Sequence, residues 1–125
     1  MPLYHQIVTA SARASPAALA DLLRRCAKQI TAAGGVVRSC EHHGVTRLPH
    51  RVRSRHASAG DDGRYHHVGR RVALFFDCGP AALPRVEQTL RMHADVLRFT
   101  TLRRPATMDL VNSNKKGNPW SRNRK

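Results

Sequence analysis

Acidic residues are scarce: 8 Asp and Glu stand against 22 Lys and Arg in 125 residues, a net charge of +14. A domain with that surplus meets a polyanion, either nucleic acid or an acidic membrane. Long apolar runs are absent too. No stretch approaches the ~20 residues that span a bilayer. None sets large apolar side chains against a basic face, as a membrane-surface helix does. No membrane partner is therefore expected, and nucleic acid is. The three cysteines, Cys26, Cys40 and Cys78, are isolated and form no C-x-x-C pair. Their odd number argues against a secreted disulfide framework and for a reducing compartment. Aromatics make up only 5% of the chain, so binding is expected to rest on phosphate neutralisation and shape, without a base-stacking platform.

What is present suffices for one domain. At 41% hydrophobic the chain can bury a core, which excludes wholesale disorder, and its length suits a single domain. Residues Met1 to Ala20 hold Arg13, three Ser or Thr residues and no acid, a composition that resembles an organellar transit peptide. They contain no uninterrupted apolar region of the secretory type. Leu3–Thr9, however, is rich in β-formers and reads as a strand, and Ser15 begins a capped helix. Folded structure is the preferred reading of this segment.

Pro16 suits the first helical position, and Asp21 is expected near the positive end of the helix dipole. Leu19, Leu22, Leu23, Cys26, Ala27 and Ile30 form one apolar stripe, ended by Gly34-Gly35. Val36–Glu41 reads as a second strand that turns near Gly44. Leu48–Val52 resumes the extended chain, with Pro49 assigning it to an edge or bulge. Residues 53–69 are polar, include the turn signal Asp62-Gly63, and read as an insertion within a hairpin. Val72–Phe76 is the next strand, Ala81–His93 a second helix and Val96–Leu102 the last strand. The order β-α-β-β-α-β predicts an α+β, ferredoxin-like fold over residues 1–104. It has a four-stranded antiparallel sheet with two helices on one face, leaving the other face free. Residues 105–125 lack periodicity and hold five bases (Lys115, Lys116, Arg122, Arg124 and Lys125) against Asp109, as a basic extension.

Catalytic and metal chemistry find little support. Cys40, His42, His43, His50, His56, His66 and His67 are numerous, but they lack the paired arms that converge on zinc. No nucleophile elbow, dinucleotide fingerprint or P-loop occurs. Acylphosphatases share this element order and use an Arg and an Asn, yet the first asparagine here is Asn112. The expectation is no enzyme, no cofactor and no metal. The RNA recognition motif also shares the order and stacks bases on third-strand aromatics. Here Gly69-Arg70-Arg71-Val72-Ala73-Leu74-Phe75-Phe76 carries basic and aliphatic residues where the first of those aromatics belong.

Arginine dominates the basic residues, and its planar fork suits phosphate. The candidate RNA contacts are Arg47, Arg51, Arg53, Arg55, Arg70 and Arg71 of the central hairpin, where Arg64 also falls. Arg98, Arg103 and Arg104 follow in the last strand and its exit, then Lys115, Lys116 and Arg122 in the tail. Trp120, in Gly117-Asn118-Pro119-Trp120, is expected to anchor on a partner or stack on a base.

Several short stretches share one pattern: Met1-Pro2-Leu3-Tyr4, Gly34-Gly35-Val36-Val37, and Gly44 followed by Leu48-Pro49-His50-Arg51-Val52. Gly79-Pro80 and Asp95-Val96-Leu97-Arg98 continue it. In this order and spacing the chain resembles the bacterial and organellar family of small-subunit ribosomal protein six, from Met1 to about Arg104. The resemblance implies a ferredoxin-like, non-enzymatic protein on the platform of small-subunit rRNA, beside other small-subunit proteins and paired with small-subunit ribosomal protein eighteen. His43 and His50 stand where the family carries aromatics. The basic tail and the insertion are more like mitochondrial members than bacterial or plastid ones, so a mitochondrial ribosome is the expected location. A free-standing RNA-binding or chaperone protein outside the ribosome is the alternative.

Overall fold

Alternation along the first strand decides which way the sheet faces. The structure is a computed structural model that describes residues 2–54 and 65–105. In β1 (Leu3–Ser11), Tyr4, Gln6, Val8 and Ala10 are buried on one side, while Leu3, His5, Ile7 and Thr9 are half-buried on the other. That period of two is the strand pleat. Helix α1 (Pro16–Ala32) starts as its sequence dictates: the Ser15 hydroxyl accepts from the Ala18 N–H at 3.1 Å, with Pro16 in the first turn. Asp21 lies outside that first turn, and its partner is Arg24 at 2.9 Å rather than the helix dipole. Leu19, Leu22, Cys26 and Ile30 bury the stripe, each leucine or isoleucine contributing about 1.5–3 kcal/mol. The helix ends at Ala32, and the chain turns out of it through Gly34, whose φ of +83° favours glycine. Gly35 passes so close to the Asp77 carbonyl and Ile30 that a Cβ there would collide with both.

The remaining elements are β2 (Val36–Arg53), β3 (Tyr65–Asp77), α2 (Leu83–Met92) and β4 (Val96–Arg104). The sheet order is β2-β3-β1-β4, all neighbours antiparallel, as the ferredoxin-like reading requires. Leu74, Phe76 and Val72 of β3 join Val86 and Leu90 of α2 and the α1 stripe in one core. Gln29 and Thr89 hydrogen-bond at 2.7 Å between the two helices.

The central hairpin departs from expectation. Gly44 makes no turn: β2 runs on through it, and the register shifts between His42 and Gly44. Its φ of +81° belongs to a bulge, which kinks the strand without ending it. A second irregularity lies between Arg47 and Val52, around Pro49, on an edge strand as that proline requires. β3 begins at Tyr65, not near Val72, so residues 65–69 are strand and the insertion contracts to what joins Arg53 to Tyr65. Polar side chains disguised this segment, but ladder hydrogen bonds are made by backbone, and His67 and Val68 face solvent. Residues 55–64 and 106–125, with them most of the expected extension, lie outside the described residues.

The arm of this hairpin does not lie flat. Leu48 and Val52 of β2 pack with Leu97 of β4 in a second buried cluster, although β3 and β1 stand between those strands. Three strand spacings amount to roughly 14 Å, beyond the reach of two leucines across a flat sheet. Leu48 also lies on the side of Thr9, against Gly69. The arm therefore folds over one end of the face opposite the helices, and only the rest of that face is open.

Candidate nucleic-acid interface

Most of the candidate arginines are on strands, so register decides which of them share a surface. Arg51 and Arg53 flank the buried Val52 and are exposed, pointing away from the small cluster. The Arg51 guanidinium rests over the Tyr65 ring, 4.5 Å from its centre. Arg47 is exposed opposite Val68, on the helix side of the arm. Arg70 opposes the buried Ala10; its Nε is buried and makes no hydrogen bond. Arg70 is thus partly core. Arg103, opposite Tyr4, is exposed at the helix side of β4.

Arg71 and Arg98 meet differently. Both oppose Thr9, one from β3 and one from β4, which sets them on the face opposite the helices, beside the end that the arm covers and about 10 Å apart. Arg104, opposite Leu3, is on the same face near its other end. The sequence grouped Arg71 with the hairpin and Arg98 with the last strand; the sheet brings these two together and parts Arg71 from Arg70. Arg55, Lys115, Lys116, Arg122 and Trp120 lie outside the described residues.

Among the described residues, the carboxylates that pair do so with side chains outside the candidate set. Asp21 holds Arg24, Asp77 holds Arg38 at 2.6 Å, and Glu41 faces His43 at 3.6 Å. None of these contacts engages an arginine of the candidate set. The arm and the open face thus keep a positive field able to receive phosphate. Nucleophilic chemistry is poorly served: burial pushes the Cys26 thiol up to about 11 and raises Cys40 and Cys78 as well, so each thiol stays protonated. Among the described residues, no group of three or more His, Cys, Asp or Glu side chains converges for a metal. No described helix is long and apolar enough to cross a membrane.

The sequence reading missed one pair. On the open face His5 of β1 and Phe75 of β3 oppose each other, their rings stacked at 4.2 Å and 12°. Arg104 Nη2 lies 3.1 Å from His5 Nδ1. Arginine is only a donor, so Nδ1 accepts and the neutral ring carries its proton on Nε2. Alternation already separates His5 from Tyr4 and Phe75 from Phe76. That the two rings are side by side follows from register alone.

These features define a class: a two-layer ferredoxin-like α+β domain with a basic hairpin arm and a basic open sheet face. The particular family follows from comparison. Residues 3–103 match the family described as Ribosomal protein S6, and the chain belongs to it. It is 29% identical over 103 residues to the small ribosomal subunit protein bS6 of Granulibacter bethesdensis, covering 82% of this chain and 60% of that protein. It is also 29% identical over 80 residues to the small ribosomal subunit protein bS6m of Drosophila melanogaster, covering 64% of this chain and 50% of that one. The crystal structure of 30S ribosomal protein S6 from Thermotoga maritima superposes with a TM-score of 0.68 at 17% identity, covering 82% of this chain and 87% of that one. The chain spans 60% or less of the length of the first curated relatives it matches.

Proposed function

We propose that this chain is a structural, non-enzymatic constituent of the small subunit of a mitochondrial ribosome. It contacts small-subunit rRNA of the platform beside small-subunit ribosomal protein eighteen and other small-subunit proteins. Family membership supports the ribosomal reading, and similarity to the bS6m of an animal supports the organelle. The observation that carries RNA contact is the set of exposed arginines Arg47, Arg51 and Arg53 on the hairpin arm, while the paired carboxylates face other residues. Their forks take phosphate oxygens, and each engaged charge releases a counterion from the RNA.

The test is fractionation of an organellar lysate on a sucrose gradient, at low and at high salt, following this chain. Stable migration with the small subunit is expected. Migration with light fractions alone overturns the ribosomal role and favours a free RNA-binding protein.

A further inference from the structure

The separation of the His5 and Phe75 rings, 4.2 Å, is close to the ~4.8 Å between neighbouring strands. Two parallel rings so spaced on adjacent strands stand upright on the sheet, each turning its second face towards the next strand out. Beyond His5 that strand is β4, where the exposed Leu102 opposes His5 and Arg104 approaches Nδ1. Beyond Phe75 it is β2, where the opposing residue is Ser39, small and exposed. The stack is closed on one side and open on the other.

We propose that the Phe75 side of this stack, above Ser39, is a site for one unpaired nucleobase of single-stranded RNA. The inference rests on the reading that the chain binds RNA and names where an unstacked base goes. Every base has a π-face, and a third planar ring continues a stack of two without needing a particular sequence. Charge favours a nucleotide over an apolar peptide side chain. Arg71, Arg98 and Arg104 share the face, and its acids near the slot already have partners, Asp77 with Arg38 at 2.6 Å and Glu41 with His43 at 3.6 Å. Few aromatics are needed: the fold pairs a ring from each central strand although the chain is only 5% aromatic. His5 contributes as the neutral imidazole fixed by Arg104, a flat polarised ring behind Phe75.

The test uses the full chain and a single-stranded oligouridine RNA carrying one central 2-aminopurine, whose fluorescence is quenched on stacking. Binding with quenching is expected for the natural sequence. Phe75→Leu keeps an apolar side chain and removes the π-face; it should lose the quench and weaken binding by roughly tenfold. Ser39→Phe, at an exposed edge position that tolerates the change, fills the slot and should lose the quench while thermal unfolding is unchanged. The double variant Arg51→Gln/Arg53→Gln should keep the quench at saturation and weaken the salt dependence. Equal quench and affinity in the Phe75→Leu and Ser39→Phe proteins overturn the base site and leave this face to a protein, with RNA binding by the arm intact. Failure of the natural chain to bind the oligonucleotide overturns the base site, and if the same chain also fails to bind small-subunit rRNA, the RNA-binding reading falls with it.

Discussion

The guanidinium of Arg51 lies 4.5 Å above the centre of the Tyr65 ring, joining the last turn of pleat in β2 to the first residue of β3. This contact ties the two strands where the sequence suggested a polar insertion. A cation over an aromatic face at an exposed site is worth about 0.5–1 kcal/mol.

Tyr65→Leu should therefore lower stability by about 0.5–1 kcal/mol, measured by urea unfolding. Arg51 would be released, not removed, so RNA affinity should hold. Arg51→Ala should lose the same stability and also one phosphate contact, seen as a slope of log affinity against log salt shallower by about 0.7–0.9. Equal RNA binding by both variants would show that Arg51 serves the hairpin alone.

Leu97 is the residue on which the folded arm rests. Leu97→Ala should cost about 2–5 kcal/mol, since the arm cannot collapse fully into the space left. The loss should also be local. Amide hydrogen exchange should accelerate for residues 48–53, while Val37–His42, paired with the core part of β3, stays protected. Uniform acceleration across β2 would mean that the arm and the core unfold as one unit.

Acid should loosen the fold through two histidines. Burial, then Arg104, lowers His5 below its ordinary value of 6.5, with Glu41 opposing and His43 adding to the shift. Burial and Arg13 lower His66 in the same direction. A histidine whose folded value is depressed takes up fewer protons folded than unfolded. Its contribution is complete above 6.5 and is lost as pH falls through the folded value. The urea midpoint should thus decline between pH 7.5 and lower pH, and His5→Gln with His66→Gln should flatten that decline. An equally steep decline in the double variant would assign the effect to other groups.

The basic extension contributes charge that the sequence alone defines. Removing residues 105–125 takes away Lys115, Lys116, Arg122, Arg124 and Lys125. If all engage single-stranded RNA, the slope of log affinity against log salt should change by about 3.5, at ~0.7 per charge. A slope unchanged by the truncation would place the RNA contact wholly on the folded part.

Element order was legible because each signal is local. Ser15 and Pro16 start a helix, Gly34 stops it, and the stripe from Leu19 to Ile30 allows only one buried face. Charge was legible for the same reason, being a sum over residues. The hairpin was misread where local signals mislead. Gly44 looks like a turn but serves a bulge, and Tyr65–Gly69 looks like loop because its side chains are polar while its backbone is paired.

The sequence by itself determined the α+β order, the core stripe and the cationic character. Only the tertiary structure decided which arginines share a face, that Leu48 meets Leu97, and that His5 lies against Phe75. Those are contacts between residues at least 49 positions apart in the numbering of Leu48 and Leu97, and 70 apart for His5 and Phe75. Strand register and sheet curvature set them, and both depend on how whole strands pair rather than on any residue and its neighbours.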